Sequence, residues 1–217
     1  MNISVEISNN YLSIGFSEVR VIKLNVKVDF EYVKETASRI IMERERFWKN
    51  LKPSDFGTLL SYLLVLAILP FVGTLLLSLV FGYRIPFFGT ITLPPSLALV
   101  AAVKAYVLAV IGPFIGGFVM NIVAEALKYP SSTERYTTLT VYAATPAIIS
   151  QFLVFVPFIG GVIILLAAIF SLYLIWLGLR EFIKLDSSQA LILLIVYLIA
   201  LLIISAIAGN IGMFYTM

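Results

Sequence analysis

Hydrophobic positions in this chain come in long runs, and the polar positions mark where each run stops. From residue 56 onward five apolar segments follow one another, near 56–81, 97–127, 139–155, 161–179 and 190–211. A helix crosses the roughly 30 Å hydrocarbon core of a bilayer with about 20 apolar residues, so each segment is a candidate span. The second is longer and must tilt, kink at Pro113 or project beyond the bilayer. The third, which holds Pro146, and the fourth are short enough that re-entrant loops are an alternative to full crossings.

The first 52 residues follow other periods. Residues 1–29 alternate in patches, and Asn9-Asn10 stands between Val5-Glu6-Ile7 and Tyr11-Leu12-Ser13-Ile14. Asparagine tolerates positive φ, so this pattern predicts a small β-hairpin or meander. In residues 30–52 the period becomes helical. Val33, Ala37, Ile40, Ile41, Phe47, Trp48 and Leu51 share one face, opposite Lys34, Glu35, Arg39, Glu43, Glu45, Arg46 and Lys49. Such a helix beside a span predicts an amphipathic interfacial helix, with Phe47 and Trp48 at the membrane interface. The alternative packs the same apolar face on the small sheet or on the bundle, and the two placements are compatible. Pro53 ends this helix, and Ser54 or Asp55 can cap the next. The expected fold is an all-α polytopic membrane protein with three parts: a cytoplasmic β head (1–29), the interfacial helix (30–52) and a five-span domain (53–217).

Composition sharpens that picture. Hydrophobic residues make up 61% of the chain, charged residues 12%, and mean hydropathy is +1.04. A soluble surface cannot be built from this. The charges also sort by side. With five spans, thirteen Lys or Arg fall on one side and Arg84 alone on the other, while Lys104 lies within a span. Basic residues stay cytoplasmic, so the N-terminus is expected inside the cell membrane and the C-terminus outside. Residues 1–29 carry no apolar run of signal-peptide type.

Catalytic chemistry has few candidates. Without histidine or cysteine there is no Ser-His dyad, thiol nucleophile or thiolate metal site. Asp29, Asp55 and Asp186 fall in the head or loops, which leaves no aspartate pair within a span. Neither an enzyme nor a cofactor is expected.

Polar residues within spans are costly and draw attention. Lys104 sits about two turns into the second span; its stem lets the ammonium snorkel to the headgroups, or it meets a carbonyl or anionic ligand in the bundle. Asn121 and Glu125, four apart, form an interfacial patch or part of a vestibule. Gln151 is placed as an interhelical hydrogen bonder. Ala101, Ala105 and Ala109, continued by Gly112 and Gly116, make a small-residue stripe suited to close helix packing.

The layout, together with particular motifs, resembles the Yip family, the Ypt/Rab-GTPase-interacting membrane proteins. Val141-Tyr142-Ala143-Ala144-Thr145-Pro146 resembles the family's third-span motif, a tyrosine with proline four residues on. The segment from Tyr173 to Phe182, including Gly178, resembles the fourth-span exit, and Ser187-Ser188-Gln189-Ala190 the start of the fifth. Eukaryotic members carry Asp-Leu-Tyr-Gly-Pro in the head and Gly-Tyr in the third span. Here Lys52-Pro53-Ser54-Asp55-Phe56-Gly57 departs from the first and Val141 replaces the glycine of the second, which points to the prokaryotic, archaeal branch. The resemblance implies a non-enzymatic role in organising membrane or partner proteins, as in vesicle traffic. Two other readings remain open: a small transporter or channel built on Lys104, Asn121 and Glu125, and a binder of anionic lipid. Expected partners are the bilayer, an anionic lipid, a membrane or cytoplasmic protein and further copies of the chain, but not nucleic acid.

Overall fold

A computed structural model of the chain describes residues 29–85 and 89–214. The head meander expected for 1–29 falls outside the described residues, apart from Asp29. That residue caps the first helix, accepting the Glu31 and Tyr32 N–H groups at 3.1 and 3.2 Å.

Where one amphipathic helix was expected, two form: α1 (Phe30–Met42) and α2 (Arg44–Asn50), separated by Glu43 at φ −113°, ψ 34°. The break lets both apolar faces meet the bundle. Val33, Ile40, Phe47 and Trp48 join the main hydrophobic core, Ile40 and Trp48 being fully buried. Of the placements the sequence allowed for this apolar face, the structure describes packing on the bundle. Phe47 and Trp48 are core residues beneath a helical cap, because burying them against the bundle removes their apolar surface as fully as a headgroup layer would.

Among the described residues four helices are long and apolar enough to cross a membrane: Phe56–Phe81, Pro95–Ala126, Thr133–Phe155 and Ile159–Glu181. A fifth helix, Ser187–Phe214, is apolar over Ser187–Ile203. Two of the four bend at proline. The first consists of α3 (Phe56–Leu66), α4 (Ile68–Leu76) and a π-helical turn at Leu77–Phe81. Its α3–α4 joint at Ala67 lies one turn before Pro70, whose ring crowds the preceding carbonyls. The third consists of α6 (Thr133–Ala143), α7 (Thr145–Ser150) and a 3₁₀ turn at Gln151–Phe155, jointed at Ala144 beside Pro146. By contrast α5 (Pro95–Ala126) runs unbroken through Pro113 for 32 residues. The fourth of these helices is α8 (Ile159–Glu181), and the fifth helix is α9 (Ser187–Phe214).

The third span begins at Thr133, earlier than its apolar run, because Ser132 caps it and Thr138 and Thr140 are buried rather than exposed. It is also the hub. Of its most apolar 18 residues 56% are buried, against 33% in each of the other three spans, and its mean hydropathy of 1.5 is the lowest. A span walled by other helices needs no lipid-facing surface, so it tolerates more polar residues. Both the third and fourth segments reach span length, which removes the structural motive for re-entrant loops.

An element not foreseen lies between the first two spans. Strands β1 (Tyr83–Ile85) and β2 (Gly89–Ile91) pair antiparallel, with Arg84 opposite Thr90. This end also carries the stacked rings of Phe81 and Phe155, 5.0 Å apart. The cap sits at the other end.

Candidate functional site

The cap is held by a cluster of phenols and hydroxyls that spans four segments of chain. Pro146 joints the third span just past Tyr142, leaving Tyr142 on α6 and Thr145 at the start of α7 turned to the same neighbours. The Tyr142 hydroxyl meets the Tyr32 hydroxyl of α1 at 2.9 Å and the Ser54 hydroxyl of the linker at 3.2 Å. One turn earlier, Thr138 Oγ1 accepts the Ser54 backbone N–H at 3.1 Å. The Tyr62 hydroxyl of α3 pairs with Thr145 Oγ1 at 2.8 Å. Away from water each of these polar atoms needs a partner, so pairing among themselves stabilises one arrangement of cap and bundle.

The rings interlock as the hydroxyls pair. Tyr142 stands edge-on to Tyr62 at 5.2 Å and to Phe47 at 5.6 Å, and Phe47 is edge-on to Trp48 at 5.4 Å. Trp48 lies against Gly178 of α8, where an added Cβ would come within 3.0 Å of the indole and 2.8 Å of Leu139. Gly178 is therefore the slot into which the cap's tryptophan fits. At the base, Arg135 donates to the Phe182 carbonyl and covers its ring at 5.1 Å, fastening α6 to the end of α8.

Asp55, just outside the first span, caps α3 by accepting the Thr58 N–H at 3.1 Å and hydroxyl at 2.6 Å. These hydrogen bonds, the hydroxyl's first, hold its carboxyl below the usual range. With Asp55 as the cap, Ser54 is left to serve the cluster.

Three of the four family-like residues, Tyr142, Thr145 and Gly178, therefore line one site, and Pro146 shapes it. Sequence reading missed Tyr32, Tyr62 and Thr138, and gave Ser54 only a capping role. Tyr62 carried a signal: it is the one tyrosine between residues 56 and 81, and a phenol that deep in hydrocarbon calls for a partner.

The polar residues of the second span do not converge. Lys104 is exposed on the outside of α5, Asn121 is buried and Glu125 is exposed. Asn121 Oδ1 has no hydrogen-bond partner among the described residues. Gln151 is exposed at the start of the 3₁₀ turn rather than bridging helices. The small-residue stripe is shifted as well. Ala101, Ala105 and Ala109 are only half-buried, whereas Ala98 and Ala102 are fully buried. Around Gly112 there is open space, while Gly116 faces the Tyr197 hydroxyl of α9. The tightest approach along α5 is at Gly117, where a Cβ would lie 2.5 Å from Thr137 Cα. There Thr140 also donates to the Pro113 carbonyl at 2.9 Å, giving that proline-bearing turn a hydrogen bond from the neighbouring span.

Among the described residues no group of His, Cys, Asp and Glu could hold a metal ion. A family model for the Yip1 domain matches residues 39–209 of this chain. No curated protein and no solved structure matches it.

Proposed function

The chain belongs to the Yip1 domain family, and on that premise we propose that it is a non-enzymatic, five-span scaffold that presents its helical cap to a protein partner in the cytoplasm. The carrying observation is that Val33, Ile40, Phe47 and Trp48 of the cap are buried in the bundle, so most of the side chains it displays are charged or polar, with Phe30, Ile41 and Met42 exposed among them. That polar face is balanced in charge. Between residues 29 and 55 six Lys or Arg accompany six Asp or Glu. A surface for anionic lipid would be predominantly basic. Interspersed charges of both signs suit a protein surface, where complementary pairing selects the partner and sets its orientation.

The five-span topology rests on the four long apolar helices plus α9, and the inward N-terminus on the sorting of basic residues to the cap side. The departures at Lys52-Pro53-Ser54-Asp55-Phe56-Gly57 and Val141 support the prokaryotic, archaeal branch. Because cap and bundle share one core, deleting residues 30–52 would expose that core instead of isolating the function. The better test leaves the fold whole. The chain has no cysteine, so a photo-crosslinker can be attached to a single cysteine at Lys49 or, as a lipid-facing control, at Leu165, in native membranes. A discrete protein adduct is expected from position 49 and not from 165, with loss of that adduct when Arg44 and Arg46 are changed to Glu. Identical products at both positions, or no protein adduct from the cap, would overturn the reading.

A further inference from the structure

Two features of α5 find no use within the chain: Lys104 and the open space around Gly112. From Leu97 to Met120, Lys104 is the one charged residue in a run of 24. That run is about 36 Å long, more than the ~30 Å hydrocarbon core, and Lys104 lies about 7 Å from its midpoint. Leu97, Leu99 and Val100, which separate Lys104 from the Pro95 end, are themselves exposed apolar side chains. The ammonium therefore sits among hydrocarbon, deeper than its aliphatic stem can span to the headgroups. It is exposed and has no hydrogen-bond or ion-pair partner among the described residues. An unpaired charge at that depth is costly and calls for a partner.

We propose that this face of α5 docks a spanning helix of another membrane protein, and that an Asp or Glu of that helix pairs with Lys104. Val100, Leu108, Ile111 and Ile115 lie within about 40° of Lys104 around the helix, and all four are exposed. They form one strip along α5 that no other element of the chain covers. Two turns deeper than Lys104, nothing stands within 4 Å of where a Cβ on Gly112 would lie, so a helix laid along the strip can approach closely. The charge names the partner's chemistry, because a cation in hydrocarbon is complementary to a carboxylate at the same depth. The chain's own spans have none to offer. From residue 56 on, its acidic residues are Glu125, Glu134, Glu181 and Asp186. They stand at the end of α5, the start of α6, the end of α8 and just before α9, all toward the cap and away from the half that holds Lys104. A second copy in the same orientation would bring the same arrangement. The partner is therefore a different protein, with its acidic residue in the half of the bilayer remote from the cap.

The test uses the full chain with Leu108→Cys as its sole cysteine, in phosphatidylcholine liposomes, and a Leu/Ala spanning peptide of about 22 residues as the probe. The peptide carries one Glu about 10 Å from its end and a cysteine one turn deeper, level with position 108 when the Glu is level with Lys104. Disulfide capture under mild oxidation should be about tenfold greater than with the matching Gln peptide, the scale of one polar contact between model spanning helices. Lys104→Gln should remove that difference. Lys104→Glu should transfer the preference to a peptide with Lys in place of Glu, and Lys104→Gln alone decides the matter if the reversed variant does not insert. With the cysteine moved to Leu166, exposed on α8, the two peptides should be captured alike. Equal capture of the Glu and Gln peptides at position 108, the result if lipid phosphate already satisfies Lys104, would overturn the proposal. So would a preference that survives Lys104→Gln, a preference shared by position 166, or a disulfide-linked pair of chains at position 108 that the Glu peptide does not displace. None of these outcomes depends on whether the cap binds a protein.

Discussion

The second and third spans treat their polar residues in opposite ways. Along α5, Lys104 and Glu125 are exposed on the outside and Asn121 is buried, so each meets a different environment. Along α6 and α7, Thr138, Thr140, Tyr142 and Thr145 are all buried, and each hydroxyl has a partner at 3.2 Å or closer. The first span to look functional by charge is structurally a wall, and the more modest third span is the hub. In a membrane, a long charged side chain can reach out of the bundle toward an opposite charge, whereas short hydroxyl side chains have nowhere to reach. They must pair inside the protein, and in doing so they specify where the helices and cap sit.

That contrast can be broken most severely at the contact between the two spans. Gly117→Ala would drive a methyl into the Thr137 backbone, which cannot rotate aside, and should cost about 1–3 kcal/mol in thermal unfolding of the purified protein. Gly112→Ala, on the same helix but facing open space, should change stability by less than ~0.5 kcal/mol. Equal effects at the two glycines would contradict the packing described. Next in size is the buried Tyr62–Thr145 pair. A double-mutant cycle with Tyr62→Phe and Thr145→Val should give a coupling of about 1 kcal/mol, within the range for hydrogen bonds between membrane helices. Additive effects would mean the hydroxyls do not depend on one another.

Asp55→Ala removes the α3 cap and should cost about 0.5–1 kcal/mol. The folded-state pKa of Asp55 is depressed, so its contribution is present above the unfolded value of ~3.9 and is lost as pH falls through the lower folded value. The gap between wild type and variant should therefore narrow only on the acid side of that value. A gap that instead narrows between pH 6 and 8 would assign the effect to another group, with ~3.9 as the reference for the carboxyl. Smallest of all, Lys104→Ala should leave unfolding within ~0.5 kcal/mol of wild type, since the side chain is exposed and packs nothing. A large loss there would place Lys104 in the bundle after all.

Much of the frame was legible because it depends on periodicity and hydropathy, which the chain displays locally. The apolar runs at 56–81, 97–127 and 161–179 correspond to helices Phe56–Phe81, Pro95–Ala126 and Ile159–Glu181. The start of the third span was misread because Thr138 and Thr140 look like loop residues until neighbours are known to bury them. Tyr142 and Thr145 were marked by resemblance, but what they do follows from Tyr32, Ser54 and Tyr62, more than 80 residues away in the chain. The fate of Phe47 and Trp48 was undecided for a related reason. An amphipathic helix has the same pattern whether its apolar side meets lipid or protein, and only the slot at Gly178 distinguishes them.

The docking of that helix is also where the account can be tested most directly. The chain has two tryptophans, so Trp176→Phe leaves Trp48 as a single reporter in the cap. In bilayers of lipids brominated at shallow depth, Trp48 emission should stay blue-shifted and unquenched, with water-soluble acrylamide equally without effect, because its side chain is buried between Phe47, Leu139 and Gly178. Strong quenching by the shallow bromines would put the tryptophan among the headgroups and contradict a cap clamped to the bundle.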